Sequence, residues 1–114
     1  MSRDKATLLD VLKAASLVVE FHQNMDKASF LADSKTQSAV LHQLLVLGEA
    51  VKRLSEPFRA QRPDVPWKAM AGMRDKLIHE YDDVDLDEVW KTVTTEIPRL
   101  IAILEPLVSE EDDL

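Results

Sequence analysis

The chain has no cysteine. That absence excludes disulfides, thiolate zinc sites and cysteine nucleophiles. Glycine occurs only twice, too few for a loop that cradles phosphate in the manner of P-loop or dinucleotide-binding proteins. Aromatic residues are 5% of the sequence, with a single tyrosine. No apolar run approaches the roughly 18–20 residues of a membrane span. The start, Met1-Ser2-Arg3-Asp4-Lys5, lacks the basic opening and continuous apolar stretch of a signal peptide. A cytoplasmic protein with no membrane partner is the expectation. Basic side chains are also in deficit, 14 against 21 acidic ones, for a formal charge of −7. A generic binder of phosphate backbones is usually basic, so the overall balance disfavours that class.

What is present is a helical chain of one-domain size, 114 residues with 46% hydrophobic and 31% charged content. Valine and threonine show no period-two runs, whereas leucine and alanine recur at steps of three and four. A first helix is expected over about Arg3 to Met25, on the seam Leu8, Val11, Leu12, Ala15, Val18, Val19 and Met25. A break at Asn24–Ser29 and a short apolar turn, Phe30-Leu31, follow. Ser34-x-x-Gln37 reads as a capping box that opens a second helix, carried by Val40 through Leu54 and ending near Ser55. Arg62-Pro63-Asp64-Val65-Pro66 is a stiff connector, and Pro66 suits the first turn of a third helix running to Tyr81. Asp82–Asp85 is a turn. Asp85-x-x-Glu88 caps a fourth long helix to Val108, which Pro98 should kink. The expected fold is all-α: an antiparallel four-helix bundle with a short extra helical turn, spanning residues 1–108, followed by an acidic, frayed tail at 109–114.

The third helix breaks its own pattern. Its seam is Trp67, Met70, Ala71, Leu77, Ile78 and Tyr81, yet Arg74 falls on it. One reading is an arginine that pairs with a carboxylate such as Glu49 at the edge of the core. The other is a guanidinium lining a cleft, where its fork suits phosphate oxygens. His79 lies about 140° around the helix from Arg74, so the two share no stripe, although a long side chain and a helix end could bring them to one pocket. Asp75 and His79, at i and i+4, are placed to touch, which would orient the imidazole and favour its protonated form. The bland alternatives are a surface histidine with an ordinary ion pair and a Tyr81 with its ring buried and its hydroxyl wet. Other signals are weaker. Asp82–Glu88 fails as an EF-hand, because the positions that need Gly and Glu hold Glu88 and Thr94. His22 and His42 lack ligand spacing, so neither a metal nor a cofactor is expected. Lys52 and Arg53 face an anionic ligand or simply solvate a helix end, with equal weight.

Arg74-Asp75-Lys76-Leu77-Ile78-His79-Glu80-Tyr81 has the form R-x4-H-x-Y. It resembles the motif of the HepT-like toxins, a branch of the HEPN superfamily of small helical ribonucleases. Phe30-Leu31-Ala32-Asp33, Thr36-Gln37-x-Ala39-Val40, Leu47-Gly48-Glu49-Ala50, Pro66-Trp67, Ala71-Gly72-Met73 and Val84-Asp85-x-x-x-Val89-Trp90 follow the same order and spacing. The resemblance extends over residues 3–108. It implies a homodimer with its active cleft at the two-fold interface and metal-independent endoribonuclease activity, in a type VII-like toxin–antitoxin pair. Arg74 and His79 would be catalytic and Asp75 supporting. It further implies silencing by adenylylation of Tyr81 by a minimal nucleotidyltransferase antitoxin. A non-catalytic helical partner of a nucleotidyltransferase and a purely structural acidic homodimer are the competing readings. The charge is also uneven. Residues 51–80 hold seven basic and four acidic groups, while residues 81–114 hold two and eleven. The proposed site therefore lies in a locally basic stretch.

Overall fold

The computed structural model describes residues 3–112, with side chains described through Val108; the last part of the tail, Asp113 and Leu114, lies outside the described residues, as do Met1 and Ser2. Apolar residues at steps of three and four wind Arg3–His22 into α1, whose inner face holds Leu8, Val11, Ala15 and Val18. The helix stops three residues short of the expected Met25. Asn24 adopts φ 66°, a left-handed conformation that asparagine tolerates and that a continuing helix forbids. The expected loop then contains a five-residue helix, α2 (Lys27–Leu31), capped by Asp26, whose carboxylate accepts from the Ser29 amide at 2.8 Å. Phe30, its fourth residue, is fully buried and packs on Trp90, with ring centroids 5.3 Å apart.

The third element, α3 (Ser34–Arg53), starts one residue earlier than a Ser34 cap would place it. Asp33 is the cap. It accepts from the Thr36 amide at 3.0 Å and from the Thr36 hydroxyl at 2.8 Å. A carboxylate is both an acceptor and a negative charge at the positive end of the helix, so it outcompetes the neighbouring hydroxyl. Gln37, expected to close the box, instead donates its amide to the carbonyls of Phe30 and Leu31 and ties α2 to α3.

A short helix that the spacing did not reveal, α4 (Glu56–Ala60), is capped by Ser55 with Pro57 in its first turn. The connector then leads into α5 (Trp67–His79), which Pro66 precedes as cap residue. The Trp67 indole N–H is shared between the carbonyls of Arg59 and Arg62, at 3.1 and 3.0 Å, which fixes how α4 and the connector meet α5. The fifth helix ends at His79, two residues before the expected Tyr81. Glu80, Asp82 and Asp83 crowd negative charge at its negative end, and Tyr81–Asp83 form a separate 3-10 turn.

Asp85 caps the next helix as expected, accepting from the amides of Asp87 and Glu88. The fourth long helix is continuous but not uniform. It consists of α6 (Leu86–Lys91), a π-helical turn (Thr92–Glu96) and α7 (Ile97–Asp112). The expected kink at Pro98 is realised as this widened turn. Proline has no N–H to give to the carbonyl four residues back, Thr94, and its ring crowds that carbonyl. A second proline, Pro106, lies inside α7.

The first helix packs against α3 and α7, and α3 packs against α5. The pairs run antiparallel: the carboxylate of Asp4, at the start of α1, accepts from the amide and hydroxyl of Ser55, just past the end of α3, at 2.8 and 2.6 Å. The all-α bundle is as the sequence predicted. Its core is one cluster from Leu8 to Val108, to which every long helix contributes. No described helix is long and apolar enough to cross a membrane.

Candidate functional site

Arg74 lies on the seam between α5 and α3, and a glycine makes its position possible. A Cβ added at Gly48 would clash with the Arg74 Cβ and stand 3.0 Å from the Met70 carbonyl oxygen. With no side chain at Gly48, the two helices approach closely enough for the Arg74 stem to lie across α3. Its guanidinium then meets two carboxylates. The Nε donates to Glu49 Oε2 at 2.6 Å, and Nη1 donates to Asp75 Oδ1 at 2.9 Å. The same Asp75 oxygen accepts from Lys52 Nζ at 3.0 Å. Four charged groups from two helices therefore form one chain, Glu49–Arg74–Asp75–Lys52.

The electrostatics follow from the contacts. Asp75 is held below the usual carboxylate range, first by the hydrogen bond from Lys52 and then by that from Arg74. The Arg74 guanidinium is pushed further up, mainly by its bond to Asp75; burial opposes this and Glu49 adds to it. Arg74 keeps only 22% of its side chain exposed, whereas Glu49 and Asp75 keep 44% and 49%. A guanidinium has five N–H donors. Two are spent on Glu49 and Asp75, so three remain, and their direction is fixed by the two that are held.

Arg74 pairs with Glu49 as a core-edge arginine would, and three of its N–H donors are uncommitted among the described residues. The expected Asp75–His79 contact does not form, because the Asp75 carboxylate is drawn toward Lys52 and Arg74. His79 is exposed at the last position of α5, and among the described residues it has no hydrogen-bond or ion-pair partner. Tyr81 follows in the 3-10 turn with 45% of its surface exposed, and Ile78 is equally exposed. Tyr81 therefore leaves the helical seam that the spacing assigned to it. The other histidines are structural or unengaged. His22 places Nδ1 2.7 Å from the Val18 carbonyl oxygen and lies edge-on to Trp90, and His42 is solvent-exposed. Among the described residues no group of three or more His, Asp or Glu is arranged to hold a metal ion.

Sequence reasoning did not find the part that Gly48 and Lys52 play. The glycine within Leu47-Gly48-Glu49-Ala50 was a signal for close approach, but nothing named its partner helix. Lys52 lies one helical turn beyond Glu49, and that spacing was legible only once α5 was known to lie opposite.

Comparison with known proteins places this chain in a family. The model of the ribonuclease HepT-like family matches residues 11–107. The chain is 44% identical to a Thermococcus cleftensis protein described as a probable ribonuclease HepT, over 90% of this chain and 94% of that one. It is 41% identical to a candidate RNase of Methanocaldococcus jannaschii, over 93% and 88% of the two chains. A candidate RNase of Caldanaerobacter subterraneus subsp. tengcongensis is 35% identical over 97% and 99%. No solved structure matches. With 97 consecutive residues inside the family model and relatives aligned over nearly their whole length, the chain belongs to the HepT-like ribonuclease family.

Proposed function

We propose that the protein is a ribonuclease, and specifically a metal-independent endoribonuclease toxin that works as a homodimer, with Arg74 and His79 from both copies facing one cleft. The observation that carries this reading is the state of Arg74. Among the described residues it is anchored by Glu49 and Asp75 with three donors unspent, on the same helix as an exposed His79 that has no partner there. A ribose 2′-oxygen attacks the adjacent phosphorus while the imidazole of one His79 accepts its proton. The bond from phosphorus to the 5′-oxygen breaks, and the imidazolium of the second copy's His79 supplies the proton that the leaving oxygen takes. The products are a 2′,3′-cyclic phosphate and a 5′-hydroxyl. One histidine per chain suffices because a two-fold axis brings two together. The free donors of Arg74 stabilise the charge that builds on the pentacoordinate phosphorus. Asp75 supports this by holding the guanidinium, not by touching the imidazole.

Tyr81 is the proposed control point. Its hydroxyl oxygen attacks the α-phosphorus of ATP on a nucleotidyltransferase antitoxin, pyrophosphate leaves, and the phenolic proton is released to solvent. The bulky, anionic adenylate then obstructs RNA beside Arg74 and His79. The exposure of Tyr81 supports this assignment.

The test is cleavage of RNA in the presence of chelator by wild type, Arg74→Ala and His79→Ala. Each variant is expected to stay folded and to lose at least about 100-fold in rate. Cleavage retained by purified His79→Ala would falsify the mechanism. Absence of cleavage by the unmodified wild type favours the alternative, a non-catalytic helical partner of the nucleotidyltransferase. Mass spectrometry of the chain co-expressed with that enzyme locates the adenylate, expected on Tyr81.

A further inference from the structure

Tyr81 is also one wall of a groove of about 260 Å³ between the start of α3 and the 3-10 turn. Leu41 and Leu86 give it apolar surface, and Gln37, Ser38 and Asp82 give it polar surface. Both N–H donors of the Gln37 amide are committed to the carbonyls of Phe30 and Leu31, so its carbonyl oxygen is the group left to accept. Asp82 is exposed and has no hydrogen-bond or ion-pair partner among the described residues. The lining thus offers the Asp82 carboxylate and the Gln37 carbonyl oxygen as acceptors, the hydroxyls of Ser34, Ser38 and Tyr81, and no cationic side chain. The Asp82 carboxylate disfavours an anionic phosphate there, whereas a flat neutral ring with N–H donors finds acceptors. The volume is just under the roughly 300 Å³ at which small-molecule sites begin, a size that suits one base better than a whole nucleotide.

We propose that this groove is a subsite for an unpaired guanine of the RNA, stacked against Tyr81, with its Watson–Crick edge donating to Asp82 and Gln37. Single-stranded RNA is read in this way, by stacking on aromatic rings and by hydrogen bonds to exposed base edges. Guanine is favoured because N1–H and the N2 amine are parallel donors that one carboxylate accepts together. Adenine and cytosine put a single amine beside an acceptor, and uracil flanks its one N–H with two carbonyls. Only Glu80 separates Tyr81 from His79, so their Cα atoms are at most about 7.6 Å apart. A base in the groove therefore belongs to a nucleotide next to the phosphate at His79. This subsite rests on the ribonuclease reading for its consequence in catalysis, but not for its ability to bind a base.

Two measurements test it and keep the two ideas apart. Single-stranded oligonucleotides that differ only in the base beside the cut should show a preference for guanine of about tenfold in kcat/KM. Asp82→Asn and Ser38→Trp, which alter and fill the groove, should reduce that preference to under about threefold while cutting at the other bases persists. Independently, guanosine 5′-monophosphate added to the full chain should shift the amide resonances of Ser38, Tyr81 and Asp82 in a saturating manner. Uridine 5′-monophosphate, which carries the same phosphate, should not, and the contrast should survive in His79→Ala. No guanine preference in an active wild type, a preference unchanged by both variants, or equal shifts with the two nucleotides each overturn the subsite. If the chain cleaves no RNA, the titration alone decides, and guanine-selective shifts then leave the subsite standing while the ribonuclease reading falls.

Discussion

Gly48 and Arg74 meet where two helices are closest, so a single methyl group there acts on both packing and charge. Gly48→Ala puts a Cβ into the Arg74 stem and toward the Met70 carbonyl. Overpacking of this kind costs about 1–3 kcal/mol, and urea denaturation should register that loss. The same shift moves the guanidinium off Glu49 and Asp75, so cleavage should fall more steeply than stability predicts. A second residue-scale expectation concerns acid. Asp75, Asp33 and Asp26 are all held below their ordinary value of 3.8, by Lys52 and Arg74, by the Thr36 amide, and by the Ser29 amide respectively. Each therefore binds protons less readily when folded than when unfolded, and its contribution is fully present above that value. It is lost as pH falls from about 4 through the folded pKa. The melting temperature should drop over that window, and Asp75→Asn, Asp33→Asn and Asp26→Asn should each flatten the drop. Arg74 was legible beforehand because a cation on an apolar stripe breaks a rule of burial. Its neighbours were not, since Glu49, Lys52 and Asp75 look like ordinary surface charges until the facing helix is known.

Helices were legible from spacing and their ends were not. Asp33 and Ser34 are both good caps, and only the competition between a carboxylate and a hydroxyl decides between them. The π turn has a second cause besides Pro98, in the spacing of the apolar residues before it. Val89, Val93 and Ile97, all buried, stand exactly four apart, which on a regular helix drifts about 40° per step away from the core. Widening the turn at Thr92–Glu96 keeps all three inside. At the join between α4 and α5, Trp67→Phe removes the indole donor that two carbonyls share. Each carbonyl still accepts a backbone amide, Arg59 from Arg62 and Arg62 from Val65, so the loss should cost about 0.5–1.5 kcal/mol. Chemical unfolding should show the loss, and faster amide exchange around residues 60–66 should localise it.

For the whole molecule, the acidic balance is misleading as an average. The basic stretch contains Arg74 and the facing Lys52, while the acidic groups concentrate beyond residue 80. On the proposed ribonuclease function, such a molecule should engage one or two phosphates locally and repel the rest of the strand. Its affinity for single-stranded RNA should therefore weaken only about three- to sevenfold between 50 and 200 mM salt, as fluorescence anisotropy with His79→Ala would measure. A steep salt dependence would show instead that the acidic third does not confine the strand.

The clamp between Asp4 and Ser55 has a consequence in time. Both halves lie within the first 55 residues, so α1 and α3 can close on each other as soon as that length has left the ribosome. Arg74, His79 and Tyr81 are synthesised later, onto a hairpin that is already a template for α5. The order of synthesis thus builds the α1–α3 hairpin first and the segment that carries the candidate site residues last.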